Sequence, residues 1–320
     1  MRVGIFTNCF KDMTWEEVCQ FAHDVGAEEL EVAAGALNGK SHCNPSEILK
    51  DNTKIKKFIN IANKHNLEIS SFACMGNYLH PNKKISESHL RDLEAVIELA
   101  AKLDIKVING FAGCPGAAED DPYPNWIALP YPPEFPGYLD WQWNNKIIPF
   151  WKGISKKLKN HKIKFGFEMH PGDSIFNTST LLKLRDSVGY EGLGCCFDPV
   201  HLFWQGMDPV ACIKHLGDAI FNVHAQDSEM NEDVVKIDGV FDTKYYGDLE
   251  NRAWNFKLVG YGHGEDFWKK LISALRIVGY DGSLSIENQD AQFSLKEGFQ
   301  KAVDFLSRMI FREKPGKIIY

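Results

Sequence analysis

Residues 164–170 read Lys-Phe-Gly-Phe-Glu-Met-His and residues 194–201 read Gly-Cys-Cys-Phe-Asp-Pro-Val-His. Each is a short run of apolar or small residues that ends in an acid. The run suits a strand buried on both faces, as parallel sheets require. Two more segments repeat the pattern: Phe221-Asn-Val-His224 and Leu284-Ser-Ile-Glu287. Working toward the amino terminus, similar runs occur at Val3–Thr7, Leu30–Ala33, Ile69–Ala73 and Val107–Phe111, and the later strands are Lys164–Glu168, Gly194–Asp198, Ile220–His224 and Ser283–Glu287. Amphipathic stretches separate them, such as Leu93, Val96, Ile97, Ala100 and Ala101 on one stripe and Phe267, Leu271, Leu275 and Val278 on another. Helix starts are expected at Thr14 with Glu17, at Ser86, at Asn177 and at Asp208 before Pro209. Eight βα units in one chain predict an α/β fold, a (β/α)8 TIM barrel, as one domain over residues 1–320. Long loops are expected after strands 4 (Ala112 to Trp143) and 7 (Ser228 to Asp266), and loops of that length on this fold carry function.

The length of 320 residues fits one such barrel, and 44% hydrophobic with 25% charged side chains fits a folded globular chain rather than a disordered one. The net charge of −7 argues against nucleic acid as a partner, because it repels a phosphate backbone. No run nears the roughly 18 apolar residues of a membrane span, and the first ten residues lack the features of a secretion signal. Eight cysteines without a C-x-x-C pair read as reduced thiols in a cytoplasmic protein, with no structural zinc expected of them.

In a barrel of this kind, groups at the carboxyl ends of the strands converge near the axis. Glu168, Asp198, His224 and Glu287 therefore predict one divalent ion held by three carboxylates and an imidazole. Oxygen donors with one nitrogen suit Mn2+, Mg2+, Co2+ or Zn2+. Helix capping accounts for any single terminal acid, but four such groups on four consecutive strands are better explained by an ion. His170 lies two residues past Glu168 and His201 three past Asp198, so each is a candidate acid, base or hydrogen-bond donor toward a substrate. Asp227, in His-Ala-Gln-Asp, is a candidate to orient a ligand from behind.

These residues resemble those of the xylose-isomerase-like barrels, a family that includes sugar epimerases and isomerases, inosose dehydratases and the zinc endonucleases of abasic-site repair. The resemblance spans nearly the whole chain, through Glu168, Asp198-Pro-x-His201, His224, Gly260-Tyr-Gly-His-Gly-Glu-Asp-Phe-Trp268 and Glu287. It implies that Glu168, Asp198, His224 and Glu287 hold the metal, that Glu168 and Glu287 flank the substrate as acid and base, and that His201 touches it. The third and fourth strands offer Cys74, Asn77 and Asn109 in place of the endonucleases' extra histidines, which argues against a trinuclear site and DNA cleavage.

An open ion beside carboxylates and imidazoles suits removal of a proton next to a carbonyl, the step shared by isomerisation, epimerisation and β-elimination. The loop from Ala112 to Trp143 is rich in aromatics and has no lysine or arginine, so its walls suit a sugar ring or aromatic group more than a phosphate. Trp126 and Trp141 are its substrate-binding candidates, and packing against the barrel or a partner subunit is the plainer alternative. With the Glu168-Met-His170 segment and the Ile237–Trp254 insertion, this loop resembles the alpha subunits of C-glycoside deglycosidases. That resemblance implies a lyase cleaving 3-oxo-glycosides by β-elimination, with His170, Glu168 and Glu287 catalytic, Mn2+ as cofactor and a small beta subunit as partner. A sugar isomerase or epimerase acting on a free ketose is the alternative. A non-catalytic sugar-binding subunit is the contrasting reading, and an oligomer is expected.

Overall fold

The computed structural model describes residues 1–317; the last three residues of the unit expected over 1–320 lie outside them. The strands are β1 (Arg2–Phe6), β2 (Glu29–Ala33), β3 (Glu68–Ala73), β4 (Val107–Gly110), β5 (Lys164–Glu168), β6 (Leu193–Phe197), β7 (Ile220–Ala225), β8 (Asp227–Met230), β9 (Trp254–Lys257) and β10 (Ser283–Ile286). All but β8 and β9 pair in parallel and close into an eight-stranded barrel, with β1 and β10 meeting in register at Val3 and Leu284. The (β/α)8 expectation holds, and the expected strand positions agree to within a residue or two.

Along each strand the period of two sends one set of side chains to the helices and the other to the lumen. The first set is apolar and fully buried, including Ile5, Leu30, Val32, Phe72, Ile108, Phe165, Phe167, Phe197 and Leu284. The second is small or polar: Gly4, Glu31, Ser71, Asn109, Gly166, Cys196, Asn222 and Ser285. A Cβ on Gly166 would stand 2.7 Å from Asn109 Oδ1 and 2.9 Å from the Cys196 nitrogen, so the lumen admits no side chain there. A polar lumen is affordable only if its groups pair with one another. Glu31, Ser71 and the amide groups of Asn109 and Asn222 do so, beneath the strand ends.

Thr14, Asn177 and Asp208 cap their helices as expected, the first two in reciprocal capping boxes. Ser86 does not. The helix Lys83–Leu103 starts a turn earlier, where Asn82 accepts from the Lys84 nitrogen. Both connections expected to be long are structured. The first contains the helix Phe135–Trp141, which runs through a wider turn at Gln142–Ile147 into the helix Ile148–His161. Buried Gln142 pins the coil before it by donating to the Gly116 and Asn125 carbonyls at 3.0 and 2.8 Å. The second contains β8 and β9, an antiparallel pair joined across the helix Glu232–Asp238. No helix among the described residues is long and apolar enough to cross a membrane.

Candidate metal centre

The carboxyl ends of β5, β6, β7 and β10 bring Glu168, Asp198, His224 and Glu287 together. His224 is fully buried, and its Nδ1 lies 3.3 Å from Glu287 Oε2, 3.4 Å from Glu168 Oε2 and 3.9 Å from Asp198 Oδ2. Donors bound at 2.0–2.2 Å around one ion stand about 3.0–3.5 Å apart; Glu287 and Glu168 stand at that separation from Nδ1 and Asp198 slightly beyond it, and the ligand atoms of Glu168, Asp198 and His224 all lie within 4.8 Å of one another. Two observations test that fit further. His224 Nδ1 and Asp198 Oδ2 are buried with no hydrogen-bond partner. Ion pairs to the three carboxylates come only from His201 and His224 among the described residues, with no lysine or arginine to balance them. The residues present fit a divalent cation on both counts.

Burial pushes the carboxyl of Asp198 up to about 6 and that of Glu287 up to about 7. Glu168 is raised well above the usual range by burial and by the neighbouring Asp198 and Glu287. Burial works against a charged His224, yet Cys196 and Glu31 hold it well above the ordinary histidine range. In effect a proton on His224 stands in for cationic charge that these acids otherwise lack.

The other face of the His224 ring is occupied by a residue that the strand-end pattern did not single out. Glu31, mid-strand on β2 and fully buried, places Oε1 at 3.3 Å and Oε2 at 3.2 Å from His224 Nε2. Asn109 donates to Oε1 and Asn222 to Oε2, each at 2.7 Å, and Asn109 also reaches Ser71 at 3.2 Å. Burial would raise the Glu31 carboxyl, but His224 and Asn109 hold it below the usual range. A carboxylate on Nε2 leaves the Nδ1 lone pair for a metal. The available signal was a glutamate between Leu30 and Val32 on a strand buried along its whole length, a position that a paired acid can hold. Phe6 stacks on the same imidazole at 5.2 Å.

His170 and His201 form the second group of the site. Their rings are 4.1 Å apart, and His201 Nε2 lies 3.7 Å from Glu168 Oε1. Burial lowers the pKa of His170, and burial with the neighbouring His170 and His224 holds His201 well below the usual range, so both rings are neutral near pH 7. His170 Nδ1 is engaged by the Pro171 carbonyl at 2.7 Å. Aromatics from the β8–β9 insertion approach from the side, with Phe256 edge-on at 6.4 Å from His201 and Tyr246 at 5.4 Å from Phe256.

Three expected residues lie elsewhere. Asp227 does not reach a ligand; it accepts from the Gly260 and His263 nitrogens, His263 Nδ1 and Trp268 Nε1 at 2.7–3.1 Å, and so fastens the end of the insertion to the barrel. The place behind His224 is taken by Glu31. Trp141 lines a cavity with His80, Lys83 and Lys146, whose ammonium stands 5.3 Å from the indole. Trp126 meets Phe176 edge-on at 5.5 Å and lines an apolar cavity between the loops after β4 and β5. Neither tryptophan shares its cavity with a residue of the carboxylate cluster.

Residues 19–309 match the family described as xylose isomerase-like TIM barrel. The chain is 32% identical over 313 residues to the uncharacterized protein YfiH of Bacillus subtilis, covering 97% of this chain and 99% of that one. Among solved structures, the fold is shared with the IOLI protein with a bound zinc atom (TM-score 0.66, 14% identity, 98% and 100% of the two chains). It is shared also with D-psicose 3-epimerase from Clostridium cellulolyticum H10 (TM-score 0.63, 14% identity, 97% and 99%). The barrel, its strand-end cluster and these matches place the chain in the xylose isomerase-like TIM barrel family.

Proposed function

We propose that this protein is a divalent-ion-dependent carbohydrate enzyme that removes a proton next to a carbonyl, and that it is a lyase cleaving 3-oxo-glycosides by β-elimination. The observation that carries the reading is the unpartnered Nδ1 of His224 facing three buried carboxylates. Glu168, Asp198, His224 and Glu287 would hold the ion, Mn2+ being our assignment for this mostly oxygen donor set; the zinc in the IOLI structure supports a divalent site in this fold. When bound, the ion polarises the sugar carbonyl and acidifies the adjacent C–H. Glu287, or neutral His170, takes the proton from C2 of a 3-oxo sugar. The C–H electron pair forms the C1–C2 double bond, the bond from C1 to the aglycone breaks, and the departing group takes a proton from Glu168. His201, beside Glu168, holds a substrate oxygen. Phe256 and Tyr246 offer an apolar surface for an aromatic aglycone, worth about 1 kcal/mol beyond area burial for each well-placed ring pair.

The fold shared with D-psicose 3-epimerase favours a second reading, an isomerase or epimerase of free ketoses using the same proton abstraction. We further propose a cytoplasmic oligomer with a small beta subunit as partner. The experiment that separates the readings offers Mn2+-loaded protein, with and without such a subunit, aryl 3-oxo-glycosides and free ketoses in parallel. Release of aglycone with poor ketose turnover supports the lyase. Rapid ketose interconversion without aglycone release from any oxidised glycoside selects the epimerase.

A further inference from the structure

The loop after β4 contains no basic residue, yet the cavity it helps to build does. This cavity of about 290 Å3 lies between that loop and the start of the helix Thr178–Val188, outside the carboxylate cluster. Its walls are apolar, among them Ile127, Leu129, Leu139, Trp143 and Phe176. Lys183 is the one charged residue that lines it, and the Lys183 ammonium is held 4.1 Å from the centre of the Trp143 ring. Trp126, also in the lining, carries an Nε1–H that is buried and has no acceptor. A buried donor without a partner costs roughly 1–3 kcal/mol, which an acceptor brought by a ligand would recover. The other polar side chains do not fill that need. None of them accepts from the Trp126 indole: Gln142 turns its NH2 to the Gly116 and Asn125 carbonyls, and Thr180 Oγ1 donates to the Asn177 carbonyl within the helix cap.

We infer that this cavity binds a small aromatic anion, a carboxylate or phenolate, with its ring between Trp126, Trp143 and Phe176 and its oxygen toward Lys183 and the Trp126 N–H. A neutral hydrocarbon would leave the indole N–H unsatisfied. A sugar would expose its hydroxyls to walls that offer few partners. A phosphate would find one exposed lysine and no buried cation. The ligand class follows from apolar walls combined with one cation and one unpartnered indole N–H. It does not depend on the lyase reading, because the carboxylate cluster contributes no residue to the cavity.

The test is calorimetric titration of the ion-loaded protein with 2-naphthoate, using neutral 2-naphthalenemethanol as the control of equal shape. Saturable 2-naphthoate binding is expected, weakened about fivefold or more by Lys183→Met and by Trp126→Phe, while 2-naphthalenemethanol binding changes by less than about twofold. Retained binding of the neutral probe shows that the variants keep the cavity intact. The inference is overturned if 2-naphthoate fails to bind at about 5 mM, if both probes bind wild type equally, or if neither substitution affects the anion. The ion content of the same samples, measured separately, reports on the carboxylate cluster, so failure of this inference and failure of the proposed lyase are distinguishable.

Discussion

Glu31 grips His224 through both carboxylate oxygens, at 3.2 and 3.3 Å from Nε2, while Asn109 and Asn222 each hold one of those oxygens. Every group in this chain is buried, so each bond has been exchanged for water and none is replaceable by solvent. Glu31→Gln keeps the shape but presents an amide NH2 to one of the two asparagine donors. We expect ion affinity to fall about 10- to 100-fold, as it does when the partner of a ligating histidine is changed. Competition with a metal-sensitive dye measures this. Unchanged affinity with only a lower melting temperature would reduce Glu31 to a structural residue.

The pH dependence of ion binding follows from the carboxyl groups. Asp198 and Glu287, at about 6 and about 7, sit above the roughly 4 of an unfolded chain. Between those values the ion-free folded protein keeps protons that the unfolded chain releases, so their contribution to ion-free stability is greatest at low pH and declines as pH rises through that window. An ion takes the deprotonated forms, so its binding strengthens over the same range. The gain in melting temperature on adding excess Mn2+ should be small near about pH 5 and large near about pH 7.5. Equal gains at both would contradict the assignment of these acids as ligands.

In the proposed reaction neutral His170, packed 4.1 Å from His201, takes part in proton transfer. His170→Phe should lower the catalytic rate by about 100-fold or more while ion content stays at the wild-type level. Near-normal turnover would make His170 a packing residue.

Asp227 leads to a different expectation. Asp227→Ala strands the Gly260 and His263 nitrogens and the Trp268 indole without their acceptor, at a cost of about 3 kcal/mol or more in stability. Ion affinity should change little, because no ligand touches Asp227. Chemical denaturation and ion titration of this variant check the two halves separately.

What the sequence made legible tracks how local each signal is. Lys164–Glu168 shows its strand in five consecutive residues, and Glu168, Asp198, His224 and Glu287 show themselves by ending such runs. Asp227-Ser-Glu-Met230 carries no alternation, Trp254-Asn-Phe-Lys257 alternates over only four residues, and the two pair only across an intervening helix, so the β8–β9 pair was hidden. Glu31 was hidden because its partner His224 lies 193 residues away. Trp141 was expected beside the site because aromatic content says nothing about direction; the indole instead lines a cavity with His80, Lys83 and Lys146. Lys183 was overlooked beside the Trp126 cavity because it belongs to the next βα unit, not to the loop.

The proposed reaction requires one divalent ion held by Glu168, Asp198, His224 and Glu287. Native mass spectrometry with elemental analysis of wild-type protein and of Asp198→Ala tests it most directly, with circular dichroism to verify that the barrel persists. One ion per chain in wild type and none in the folded variant is the expected result. Full occupancy in Asp198→Ala, or no bound ion in wild type supplied with excess Mn2+, would contradict it.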